Sequence, residues 1–135
     1  MTSLFMLDTN AVSAVMHGRN PALDRRVTRS QVGLLCISCV TYGETKFGLA
    51  LRPGASRLIS AADHLFGRIA ILPWTRETAD GYAWLRAEMR RIGKALAPLD
   101  MLIAAHAVEA GATLVTSDRA FLHVPGLSVE DWTAP

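Results

Sequence analysis

The chain has 135 residues, half of them hydrophobic and 19% charged, with ten Gly, six Pro and a formal net charge of +2. That length suits one domain burying roughly two-thirds of its unfolded surface, and the balance excludes a disordered, collagen-like or low-complexity chain. No apolar run approaches the ~20 residues that span a bilayer, and residues 1–7 carry no basic stretch or small-residue cleavage site, so neither a membrane span nor a signal peptide is expected, and the protein is expected in the cytoplasm.

An apolar run from Ser3 to Leu7 predicts a first strand. It stops at Asp8-Thr9-Asn10, where Thr9 or Asn10 is expected to cap a helix with Val12, Val15 and Met16 among its apolar positions. Gly18 to Pro21 breaks the chain before a polar helix around Ala22 to Ser30, and Leu34 to Ile37 predicts a second, buried strand. Ser38 is placed to cap a helix from about Cys39 to Leu51, which Pro53-Gly54 stops. A helical stretch from Ala55 to Phe66 and a third strand, Ile69 to Leu72, come next.

Thr75 has the position of a cap on a longer helix ending at Gly93, with Tyr82, Leu85, Met89 and Ile92 on one face. After a loop from Gly93 to Pro98, Leu99 to Ala110 is apolar nearly all round, so this helix must be buried on several sides; Gly111 suits a left-handed cap at its end. Ala112 to Thr116 and Leu127 to Val129 supply the last two strands. Strands alternating with helices predict a parallel sheet covered on both faces, in one domain without repeat or linker.

Cys36 and Cys39 have a C-x2-C spacing, but His17, His64, His106 and His123 form no second ligand pair. Cys36 lies inside the apolar run Leu34-Leu35-Cys36-Ile37, so a reduced core thiol is expected. His106 shares a stripe with Leu102 and Ile103 and is expected as a packed core residue. Trp84 lies about 120° from the stripe of Tyr82, Leu85 and Met89, a place that suits either a partner contact or a cover over a neighbouring loop.

Four acids fall where strands end or helices begin: Asp8, Glu44, Asp100 and Asp118. In an open parallel sheet that edge is where ligands bind. Taken singly, each has a structural use: Asp100 favours its helix dipole, Asp118 can cap the turn before Arg119, and Glu44 can pair with Lys46 or an Arg. Taken together, carboxylates held close repel unless a cation compensates, and hard oxygen ligands without a His or Cys set favour Mg2+ or Mn2+. Phosphodiester hydrolysis is then the natural candidate reaction.

Met6-Leu7-Asp8-Thr9-Asn10, Ser38 through Tyr42-Gly43-Glu44, Leu99-Asp100-Met101-Leu102-Ile103-Ala104-Ala105-His106-Ala107 and Thr116-Ser117-Asp118-Arg119-Ala120-Phe121 resemble the PIN-domain family, and within it the VapC-type toxin ribonucleases of toxin–antitoxin pairs. The resemblance covers essentially the whole chain. It implies a three-layer α/β/α domain with a central, mostly parallel five-stranded sheet. It also implies a single-strand-cutting endoribonuclease in which Asp8, Glu44, Asp100 and Asp118 hold Mg2+ or Mn2+, with Asp118 binding the ion or acting through water. Asn10 and Thr116 match the family pattern too, and with Ser117 are expected to assist. An RNA substrate, a small antitoxin that holds the enzyme inactive, a homodimer, and cleavage leaving a 5′-phosphate and a 3′-hydroxyl are further implications of the resemblance.

With four acids committed to a site, 14 basic residues face eight acidic ones, a balance that suits RNA. Arg86, Arg90, Arg91 and Lys94 precede the loop leading to Asp100 and could hold a phosphate backbone, or simply form a solvated helix face. A phosphatase using Asp8 as nucleophile would need a second acid where Asn10 stands. A PIN-like RNA- or protein-binding module without turnover is the rival from another class.

Overall fold

Each strand is too short to bury its own apolar side chains, so the sheet depends on the helices that cover it. In the computed structural model, which describes residues 4–135, the order is β1 (Phe5–Leu7), α1 (Thr9–His17), α2 (Pro21–Arg29), β2 (Leu35–Ser38), α3 (Cys39–Ala50), α4 (Ser56–Phe66), β3 (Ala70–Leu72), α5 (Arg76–Arg91), α6 (Pro98–Ala110), β4 (Thr113–Val115) and β5 (Ser128–Glu130). Ser3, the expected start of β1, lies outside the described residues. The five strands are all parallel, in the order β3-β2-β1-β4-β5.

Successive strand residues point to opposite faces, and the core divides accordingly. Met6, Cys36 and Leu114 pack under Leu85 and Met89 of α5 and Met101 and Ile103 of α6. Leu7, Leu35, Ile37 and Val115 pack under Val12 of α1, Leu23 and Val27 of α2 and Leu65 of α4. Burying each such side chain stabilises the fold by roughly 1.5–3 kcal/mol, so the two clusters together hold the strand ends in place. The result is the three-layer α/β/α arrangement.

Most boundaries move by a residue or so from expectation, and three of the shifts have clear local reasons. Leu34 closes a 3-10 turn (Val32–Leu34), its amide donating to the Gln31 carbonyl at 2.9 Å, so β2 begins one residue later. Leu127 donates to the Val124 carbonyl in a turn, which moves β5 on to Ser128–Glu130. Ile92, expected on the buried face of α5, is 43% exposed because the helix ends at Arg91 and Ile92 is its C-cap.

Cys36 is wholly buried, and burial pushes its thiol up to about 12, which fits a reduced core residue. His106 is buried as well, its Nδ1 2.7 Å from Ser38 Oγ and the Trp74 ring edge-on at 5.5 Å. Burial lowers its pKa, against weaker opposing effects of Glu109 and the Pro73 backbone. Among the described residues no helix is long and apolar enough to cross a membrane.

Candidate active site at the carboxyl edge of the sheet

The chain builds outward from β1 through β2 to β3, then returns to lay β4 and β5 on the other side of β1. The strand order therefore reverses between β1 and β4, and the crevice beyond the carboxyl ends of that pair is the expected ligand site. Asp8 follows β1 directly, and its amide donates to the Val115 carbonyl of β4 at 3.1 Å. Thr116, Ser117 and Asp118 follow β4. The helix α3, which follows β2, brings Glu44, and α6, which leads into β4, presents Asp100 from its first turn.

Asp8, and not Thr9 or Asn10, caps α1. Its backbone is extended and its Oδ1 accepts from the Ala11 amide at 2.7 Å, so the helix already includes Thr9. Asn10 is exposed in the first turn. A recess of about 40 Å3 is lined by Asn10, Thr116 and Ser117, with Asp131, Trp132 and Thr133 from the C-terminal segment. Thr116 is buried and its hydroxyl oxygen accepts from the Asp118 amide at 3.0 Å, while Ser117 is exposed. Asp118 is exposed too, and its Oδ1 accepts from the Ala120 amide at 2.9 Å, capping the 3-10 turn Arg119–His123.

Asp8 and Asp100 carry the electrostatic signature of the site. Asp8 is 4% exposed, and burial raises its pKa above the ordinary carboxylate value; the Asp100 and Asp118 charges push the same way, while the Thr116 hydroxyl and Ala11 amide oppose. Asp100 is raised first by burial, then by Asp118 and Glu44. The two ion pairs among the described residues, Arg26–Glu130 and Arg91–Glu88, touch none of the four. Glu44 is therefore not paired with Lys46 or an Arg. Among the described residues no three His, Cys, Asp or Glu side chains are close enough to form a ready metal cage. The donor set nonetheless fits a hard divalent cation in kind: four carboxylates on four separate segments, none with an ion-pair partner among the described residues.

One site residue escaped the sequence reading. Thr9 Oγ1 donates to Glu44 Oε1 at 2.7 Å, bridging α1 and α3, with Thr41 Oγ1 a further 3.3 Å away. The signal was a hydroxyl next to Asp8, but its partner is 35 residues distant. Beyond this pair a cleft of about 250 Å3 runs between α1 and α3, lined by Thr9, Ser13, His17, Glu44, Thr45 and Arg52.

The four basic residues separate. Arg86, Arg90 and Lys94 line a second groove of about 250 Å3 with Met89, Pro98 and Met101, beside the first turn of α6 that carries Asp100. Arg86 also donates to the Tyr82 hydroxyl at 2.7 Å, its guanidinium 5.9 Å from the ring centre. Arg91 does not join them: it is paired with Glu88 on the neighbouring flank of α5. The i, i+4 spacing of positions 86 and 90 could have paired those two, and Lys94 joins them from beyond the helix end. Trp84 is 60% exposed, off the core stripe as the helix geometry requires.

The PIN domain family matches residues 5–127. The chain is 33% identical over 130 residues to a tRNA(fMet)-specific endonuclease VapC of Shigella flexneri, covering 96% of this chain and 98% of that one. It is 30% identical to the Salmonella typhimurium protein of the same description, covering 95% and 97%. The structure is similar to DNA-bound VapBC from Salmonella typhimurium, with a TM-score of 0.88 at 29% identity over 96% of this chain and 98% of that one. VapBC2 from Rickettsia felis, bound to a DNA fragment from its promoter, gives 0.85 at 25% identity with the same coverage.

Proposed function

The chain belongs to the PIN-domain family, and from that premise we propose that it is a metal-dependent endoribonuclease, the toxin component of a type II toxin–antitoxin pair. One observation carries the reading: at the β1/β4 reversal the Asp8 carboxylate meets the charges of Asp100 and Asp118, and Asp100 those of Asp118 and Glu44, with no ion-pair partner for any of the four among the described residues. Asp8, Glu44 and Asp100 hold Mg2+ or Mn2+, and Asp118 completes the set directly or through water. When bound, the ion neutralises charge on the scissile phosphate and activates water.

The chain's own residues supply the rest. Asp8 is clamped by the Ala11 amide and held by the Thr116 hydroxyl, so its carboxylate has a fixed base at the end of β1. Asn10 and Ser117, both exposed at the edge, offer hydrogen bonds to substrate oxygens, and Thr116 steadies the segment through the Asp118 amide. Arg86, Arg90 and Lys94 follow the phosphate backbone along their groove. Water added across the bond from phosphorus to O3′ leaves a 5′-phosphate, and the departing oxygen takes a proton to become the 3′-hydroxyl.

The Shigella and Salmonella relatives are named for tRNA(fMet), which makes tRNA the first substrate to test. The VapBC neighbours support a cognate antitoxin as partner. A homodimer is the proposed assembly, and the exposed Trp84 indole is an anchor for one of these contacts.

The test is direct. Purified, antitoxin-free protein is incubated with total RNA and with tRNA, with and without Mg2+ or Mn2+, and product ends are mapped. Metal-dependent cuts bearing 5′-phosphates are expected. A folded protein that retains RNA but cuts none of it with either metal is a binding module instead.

A further inference from the structure

We infer that Thr9, backed by Thr41, is a positioning residue that holds the Glu44 carboxylate in its working orientation. This rests on the reading of the carboxyl edge as a divalent-cation site. Glu44 is half-buried on α3, a side chain with three torsions and no ion-pair partner among the described residues. Left alone, such a head group would sample many positions and drift from the repelling Asp100 charge.

Thr9 prevents that. Its hydroxyl donates to Glu44 Oε1 at 2.7 Å, the one side-chain hydrogen bond to Glu44 among the described residues. A hydroxyl has a single proton, and the 2.7 Å bond to the carboxylate takes it, so Thr41 Oγ1, 3.3 Å away, backs Thr9 as a neighbouring contact. Thr41 is wholly buried, and Thr45 Oγ1 donates to its carbonyl at 2.9 Å, so the relay has a rigid end. Because Thr9 directly follows the capping Asp8, the same helical turn fixes both acids. Glu44 Oε2 makes no hydrogen bond among the described residues.

The test compares Thr9→Val, which keeps the shape and loses the hydroxyl, with Thr9→Ser, which keeps the hydroxyl. Mn2+ affinity is measured by calorimetry on full-length protein, alongside kcat and KM for RNA cleavage and the melting temperature. Thr9→Val is expected to weaken Mn2+ binding by about 10–100-fold, the usual effect of removing a partner of a metal ligand, and to lower cleavage at limiting metal while KM for RNA holds. Thr9→Ser should stay near wild type, and Thr41→Val should move affinity in the same direction by less. If Thr9→Val does not fold, Thr9→Ala carries the same expectation. Unchanged Mn2+ affinity in the folded Thr9 variants, with wild type binding normally, overturns the positioning role alone. If wild type itself binds no Mn2+, the cation reading falls and the role of Thr9 falls with it.

Discussion

His106 and Asp8 are both almost wholly buried, at 1% and 4% exposure, yet their surroundings obey opposite rules. His106 has a hydrogen-bond partner in Ser38 Oγ and an aromatic edge in Trp74, and burial lowers its pKa, disfavouring the charged ring. Asp8 has its Ala11 amide but also faces two further carboxylates, and burial and those charges both disfavour its charged form. Buried polar groups that are satisfied hold a fold together; buried charges set against one another hold a function open. The fold gives up stability at the acidic edge and recovers it in the two apolar layers.

The sharpest way to break this comparison is to remove charge from one side of it. Asp8→Asn and Asp100→Asn should each lower cleavage by more than ~100-fold, since losing a mere partner of a metal ligand already costs about 10–100-fold. Wild-type cleavage rates in either folded variant would remove the acids from the chemistry.

Stability should move the other way. Asn retains the capping function of Asp8, so Asp8→Asn relieves repulsion without losing the helix start, and metal-free protein should melt at a higher temperature. Folding raises the Asp8 pKa, so the folded state binds the proton more tightly than the unfolded chain and the wild-type penalty is complete only above the folded pKa. The advantage of Asp8→Asn should therefore be largest near neutral pH and shrink as pH falls through the ordinary carboxylate range. Melting curves of both proteins without metal, taken across that range, check the sign.

The same logic applied to the satisfied region predicts a fold effect without a catalytic one. His106→Phe keeps an aromatic ring, though a larger one, and leaves the Ser38 hydroxyl with only its role as acceptor for the Val40 amide, costing about 1–3 kcal/mol. Denaturant melts should show that loss, while cleavage below the transition stays at the wild-type rate. A collapse of turnover in folded His106→Phe would erase the distinction between the two regions.

What the sequence could and could not disclose follows the same division. Strand ends, helix stops and the acids beside them are local patterns, so Ser38, Thr75 and Gly111 were readable as caps and the four carboxylates as edge residues. Which of Asp8, Thr9 and Asn10 caps α1 was not readable, because all three can do so. The choice is made by the β4 carbonyl that holds the Asp8 amide. The Thr9–Glu44 bond was hidden for the same reason, since it joins two helices far apart in the chain. Arg91 was the opposite case: the Glu88 three residues before it was in plain view as its partner.

That last pair gives the smallest and most discriminating prediction. Arg86, Arg90 and Lys94 line the groove beside the turn that carries Asp100, whereas Arg91 is held by Glu88 on another flank of the same helix. If the groove carries RNA, replacing any two of the three with Gln should weaken binding about equally for different sequences and flatten the slope of log affinity against log salt by roughly 0.7 per lost phosphate contact. Arg91→Gln should leave the slope unchanged, which makes it an internal control only one residue from Arg90. Turnover at saturating RNA should hold in all of these variants, because the groove residues bind the ground state and the transition state alike. Binding measured across a salt series checks the slope. A fall in saturated turnover with an unaltered slope would instead move the cations into the chemistry at the acidic edge, and a slope change in Arg91→Gln equal to that in Arg90→Gln would show that the RNA path covers the whole flank of α5.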